Sequence, residues 1–141
     1  MMFRSKLATL LASLVLAGSA LAGTQNKLVC PGIHALQAEG LHTAAEILND
    51  FYLTYNTSNY NTDAQWIFMV APVNADTEET ALEEGNKILS TLSGNPSVED
   101  VGDNTWACEY QLASQNMVAV AIHADNMLSP LSMSRYVRKH P

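Results

Sequence analysis

Gln65-Trp66-Ile67-Phe68-Met69-Val70-Ala71, closed by Pro72, is the stretch on which the fold turns. Its short run of aromatic and aliphatic side chains between breakers reads as a strand. Just upstream, Phe51, Leu53 and Tyr55 alternate with smaller or polar residues. Ile47, Leu48, Phe51 and Tyr55 also fit helical spacing, and Thr43-Ala44-Ala45-Glu46 fits a capping box. The aromatic and β-branched content decides for a strand over about 47–56. Asn56 to Asp63 between the two runs holds only Asn, Thr, Ser, Tyr and Asp, which is turn chemistry, so the pair is expected to form a hairpin.

Downstream, Asp76-Thr77-Glu78-Glu79 is a capping box with acids at a helix N-terminus, where the helix dipole favours them. Ala81, Leu82, Gly85, Ile88, Leu89 and Leu92 then share one face, and Gly94-Asn95-Pro96 ends a helix over about 77–92. Ser97 to Asn104 reads as an acidic loop. Thr105 to Leu112 reads as a strand with Trp106, Cys108 and Tyr110 on one face. Ser114-Gln115-Asn116 supplies a turn into a last strand, Met117 to His123. Ahead of all these, Cys30-Pro31-Gly32 opens a short helix that Gly40 stops. The order helix, strand, strand, helix, strand, strand predicts an α+β fold, a four-stranded antiparallel sheet with two helices packed on one face, within residues 23–124. Residues 125–141 are expected to be a basic, partly ordered C-terminal tail.

The first 22 residues are expected to stand outside this domain. Arg4 and Lys6 precede an almost wholly apolar Leu7 to Leu16, and Ala20-Leu21-Ala22 is an A-x-A cleavage pattern. That order is a secretory signal peptide, and no later run approaches the ~20 apolar residues of a spanning helix. Its removal predicts a periplasmic or secreted protein. The loss of Arg4 and Lys6 takes the net charge from −7 to −9, and three of the remaining bases, Arg135, Arg138 and Lys139, lie in the tail. An acidic body of this kind excludes a nucleic-acid partner, because phosphate neutralisation needs a basic face.

Cys30 and Cys108 are the two cysteines. An even count in an exported chain reads as a disulfide, with two buried free thiols as the alternative. Cys30-Pro31, with His34 nearby, also matches the Cys-Pro arrangement in which a thiolate binds haem iron, but an oxidised Cys30 has no thiolate to give. There is no G-x-S-x-G, H-E-x-x-H, phosphate-binding glycine loop or C-x-x-C-H in the chain, and no histidine pair has ligand spacing on a helix face. The chain therefore reads as a binding protein and not an enzyme. Trp66, Phe68, Trp106 and Tyr110 are expected under the helices, and Tyr55 and Tyr60, in or beside the polar loop, nearer to a ligand.

Several stretches resemble a family of small exported bacterial proteins of unassigned domain function from intracellular Gram-negative pathogens, one of which is named a hemin-binding protein. They are the leader, Cys30-Pro31 through Gly40-Leu41, Asn61-Thr62-Asp63-Ala64-Gln65-Trp66-Ile67-Phe68, the amphipathic helix after Asp76, and Trp106-Ala107-Cys108-Glu109-Tyr110. The resemblance covers about residues 1–124. It implies non-covalent hemin binding and a part in iron acquisition. With Cys30 oxidised, the iron ligand falls to a histidine or tyrosine, His123 and His34 first. His123 ends the last strand, close to the tail whose Arg135, Arg138 and Lys139 suit the two propionates. The alternative is a small disulfide-stapled module that binds an envelope or host protein without a cofactor.

Overall fold

The computed structural model describes residues 28–124 except position 115. A short helix, α1 (Ile33–Glu39), leads into a meander of three strands, β1 (Thr43–Leu48), β2 (Phe51–Ser58) and β3 (Trp66–Asn74). Helix α2 (Glu78–Leu89) connects this to a second meander, β4 (Glu99–Gly102), β5 (Thr105–Tyr110) and β6 (Val118–Ala124). The meanders join through β3 and β6 into one antiparallel sheet of order β1-β2-β3-β6-β5-β4. The leader and the basic tail expected from the sequence lie outside the described residues.

The α+β class holds, but the four-stranded sheet does not: the sheet has six strands. Both additional strands are its edges. What reads as one strand over 47–56 is a hairpin that reverses at Asn49-Asp50, with Asp50 at φ 65°, and β2 runs on to Ser58 through residues of turn-like composition. What reads as an acidic loop contains β4, which turns into β5 through Asp103 and Asn104 at φ 54° and 55°. Positive φ at both central residues is the two-residue turn that matches strand twist. Edge strands with solvated faces need no hydrophobic alternation, so they leave little trace in sequence. All four residues of β4 are exposed, and none of β1 is fully buried.

β3 also runs past its expected end. Pro72, after a cis peptide bond, lies inside it, where the β2–β3 register slips between Tyr52 and Thr54. Proline has no N–H to give a ladder, and the bulge is where none is needed.

Alternation along the strands divides the core in two. Trp66, Phe68, Val70, Cys108, Tyr110, Ala119 and Ala121 face the helices, with Leu36 of α1 and Ala81 and Leu89 of α2. Leu53, Ile67, Met69, Ala71, Ala107, Val120 and Ile122 form the other face. α2 begins at Thr77, whose Oγ1 accepts from the Thr80 N–H at 3.1 Å, with Glu78 and Glu79 in its first turn. It crosses the sheet closely at Gly85, where a Cβ would stand 2.8 Å from Thr54 Oγ1 and 3.1 Å from Leu41 Cδ1. Asn86 beside it binds both backbone groups of Leu41: its Oδ1 accepts from the N–H at 2.9 Å and its Nδ2 donates to the carbonyl at 3.1 Å.

α1 is weak by itself. It has seven residues, no side-chain N-cap, and one fully buried side chain, Leu36. A helix this short does not persist alone in water. Its leading end is fastened to β5 twice, by the Cys30–Cys108 disulfide and by the Tyr110 hydroxyl donating to the Pro31 carbonyl. Its trailing end is held by Ser58 Oγ donating to the Glu39 carboxylate at 2.7 Å and by Gln37 Nε2 donating to Leu89 O at 3.2 Å. The helix thus spans from β5 to β2, across the joint between the meanders.

These contacts set three expectations. Cys108→Ala should lower stability by about 2–5 kcal/mol, as for a bridge lost from a small domain, and chemical denaturation with and without reductant measures it. Gly85→Ala should lower the melting temperature although alanine gains about 1 kcal/mol of helix propensity. Overpacking against the buried, hydrogen-bonded Thr54 costs about 1–3 kcal/mol. Burial, with a smaller contribution from Tyr60, raises the Tyr110 phenol above its ordinary value of 10.0. A raised acid keeps its stabilising share below its unfolded pKa and loses it as pH climbs through the folded one, so stability should fall as pH rises above about 10. Tyr110→Phe should flatten that fall while lowering neutral-pH stability by about 1–3 kcal/mol, the cost of stranding the Pro31 carbonyl.

Candidate functional site

The helix-facing side of β3, β5 and β6 ends in a row of three rings. Register pairs Trp106 of β5 with His123 of β6. His123 stands 5.7 Å from the Trp106 ring, inclined 40°, and 5.6 Å from the Trp66 ring of β3, inclined 54°. Trp66 is fully buried and its indole Nε1 donates to Thr62 Oγ1 at 3.2 Å, which fixes that ring against the polar loop. Trp106 and His123 are half-buried at the rim.

His123 Nδ1 lies 2.8 Å from the Gln65 carbonyl oxygen. A carbonyl only accepts, so Nδ1 carries a proton, and in the neutral form of a ring bonded this way the lone pair is at Nε2. The same backbone bond orients histidines that ligate metals. Asp100 pairs in register with Trp106 and extends the row to the sheet edge as an exposed carboxylate.

The other expected site residues are scattered. His34 is exposed on α1. His42 is exposed and its Nε2 donates to the Glu39 carbonyl at 2.6 Å. Cys30 and Cys108 are bonded to each other, which removes the thiolate that the Cys-Pro arrangement would need. Tyr60 is not open to a ligand: it is fully buried and its hydroxyl donates to the Asn56 carbonyl at 3.1 Å. Tyr55 packs half-buried on the opposite face of the sheet from the helices. Arg135, Arg138, Lys139 and His140 lie outside the described residues. Among the described residues no group of three or more His, Cys, Asp or Glu is placed to hold a metal ion, and no helix is long and apolar enough to cross a membrane.

Sequence reading missed a concavity at the other end of the sheet from the His123 row. An open cleft of about 340 Å³ lies between α2 and the β2–β3 end, lined by Phe51, Pro72, Val73, Glu84, Ile88 and Met117 among others. It has no histidine or cation in its wall. Nothing in the sequence signals it, because its residues come from separated elements.

Residues 29–136, most of the chain, match the model of a domain of unknown function, DUF4949. No curated protein and no solved structure matches the chain. The match takes in the disulfide, both helices, the whole sheet and the His123 row, and on that extent the chain belongs to the DUF4949 family.

Proposed function

We propose that this chain is a hemin-binding protein that holds iron through His123 Nε2, and that it acts outside the cytoplasm after losing residues 1–22. One observation carries the ligand assignment. The Gln65 carbonyl holds the Nδ1 proton of a half-buried histidine at the rim of the sheet, beside two indole rings. An axial ligand needs one oriented imidazole and an apolar surface for the porphyrin; half-buried Trp106 offers that surface, while fully buried Trp66 backs the imidazole from within the core. His34 lacks such a carbonyl partner among the described hydrogen bonds and stands exposed. The resemblance to a family with a hemin-binding member supports the choice of iron porphyrin. The apolar leader with its A-x-A end and the Cys30–Cys108 bridge support an oxidising compartment. Lys87 is the only Lys or Arg among the described residues and pairs with Glu84, so the reading rests on the imidazole and the rings rather than on charge.

A second reading rests on a different place. The cleft at Phe51 and Pro72, with Leu48 and Phe51 exposed near its rim, suits an apolar side chain of a protein partner.

Titration of the chain with hemin separates the two. A Soret band should develop and saturate. His123→Ala should weaken binding at least tenfold with the far-ultraviolet circular dichroism and melting temperature unchanged, while His34→Ala should bind as the parent does. Binding no tighter than that of an unrelated acidic protein of similar hydropathy would overturn the proposal, as would full binding by His123→Ala. Phe51→Glu should leave the Soret titration untouched.

A further inference from the structure

The end of the sheet away from His123 carries an apolar opening inside a border of negative charge. The cleft of about 340 Å³ between α2 and the β2–β3 end takes its apolar lining from Phe51, Pro72, Val73, Ile88 and Met117. At its rim Leu48 is 62% exposed and Phe51 is 36% exposed, and the two pair in register across the β1–β2 turn. Large apolar side chains left in water beside a concavity, with polar groups around them, mark a contact surface. The volume is at the small end of ligand pockets, about 300–1,000 Å³, and suits one or two side chains of a partner.

The border has one sign. Glu46 stands opposite Tyr52 in the β1–β2 register, and Tyr52 stands opposite Val73 of the cleft wall in the β2–β3 register. The Ala75 N–H donates to the Asp50 carbonyl at 3.0 Å, which holds the β1–β2 turn beside Asp76 and the start of α2. Glu78 lies in the first turn of that helix, and Glu84 lines the cleft itself. Four of these carboxylates act on one group: desolvation first, and then the charges of Glu46, Glu78, Asp50 and Asp76, raise the Tyr52 phenol above its ordinary value. Lys87, the only Lys or Arg among the described residues, pairs with Glu84 at 3.2 Å. Like charges gathered in this way attract cations to the opening they surround.

We infer that the cleft takes a basic segment of a partner protein. An apolar anchor of the segment seats against Phe51, Pro72 and Ile88, and lysines or arginines flanking that anchor meet Glu46, Asp50, Asp76 and Glu78. The carboxylates steer and orient the segment, and burial of the anchor holds it. An acidic or uncharged segment with the same anchor meets the cleft without that attraction, so the border selects among partners by charge. The inference names the partner chemistry for the protein-binding reading of the cleft and rests on that reading. It is independent of the hemin reading, which concerns the other end of the sheet.

Titration of the chain with a synthetic peptide, adjacent leucine and phenylalanine flanked on both sides by lysines, tests it by methyl and imidazole nuclear magnetic resonance. The Ile88 and Met117 methyl signals should shift and saturate while the His123 imidazole signals stay in place. Raising salt from about 0.05 M to about 0.3 M should weaken binding about tenfold, because exposed charge pairs are screened. Asp50→Asn with Glu78→Gln should weaken it at low salt by a similar factor. Two peptide controls do not depend on how a variant folds: serines in place of the lysines should lose most of the affinity, and serines in place of the leucine and phenylalanine should abolish the methyl shifts. If the peptide without lysines moves Ile88 and Met117 as strongly, the cleft remains a partner site and the basic-segment inference falls. If no peptide moves these methyls, or the lysine peptide moves the His123 signals instead, the inference and the protein-binding reading of the cleft fall together.

Discussion

The Cys30–Cys108 bridge is the constraint on which the helix side of this molecule depends. α1 is too short to persist by itself and buries one side chain completely, yet it has to close the sheet where the two meanders meet. The disulfide removes most of the freedom that its chain segment would otherwise give up on docking, and Tyr110 adds a hydrogen bond from the same face of the same strand. On the helix-facing side β6 contributes the small Ala119 and Ala121 to the core that also holds Leu36, Phe68 and Tyr110. Residue 30 precedes the first meander and residue 108 lies in the second, so the clasp joins the two halves.

The candidate site is built on the same strand. Trp106 lies two residues before Cys108, on the same face, and its register with β6 brings His123 beside it. The disulfide thus fixes the strand that carries one wall of the row, and Thr62 fixes the other wall through Trp66. What distinguishes His123 from the exposed His34 is the backbone acceptor at Gln65. That acceptor comes from the residue just before β3, positioned by the polar loop of residues 59–65. The chemistry proposed for the site follows from which ring nitrogen the fold leaves free, in a domain otherwise dominated by carboxylates.

Much of the central architecture was legible in the sequence. β3, β5, β6 and α2 announce themselves through apolar runs, alternation and a cap, and the cysteine pair through its even count. The edges were not legible, for one physical reason. β1 and β4 pair on one side only and leave most of their side chains in water, so selection for burial writes no pattern into them. Pro72 misled for a related reason: a proline usually ends a strand, but a register slip gives it a place where its missing N–H does no harm. For the site, His123 was singled out as the end of the last strand. Its neighbours were not, because Trp66, Gln65 and Trp106 meet it only through strand register, which no local pattern encodes. Tyr60 shows the opposite error: a tyrosine within a polar loop looks available, and here it is the anchor that the loop folds around.

The central claim is that the fold prepares His123 as a ligand with Nε2 free. Long-range proton–nitrogen correlation of the imidazoles at neutral pH reads the tautomer of each histidine directly. The account predicts that His123 carries its proton on Nδ1 with an unprotonated Nε2. It also predicts that gallium protoporphyrin, a diamagnetic stand-in for hemin, shifts the Nε2 signal of His123 alone. A His123 protonated on Nε2 with a bare Nδ1, or a porphyrin that perturbs His34 and His42 as much as His123, would contradict it.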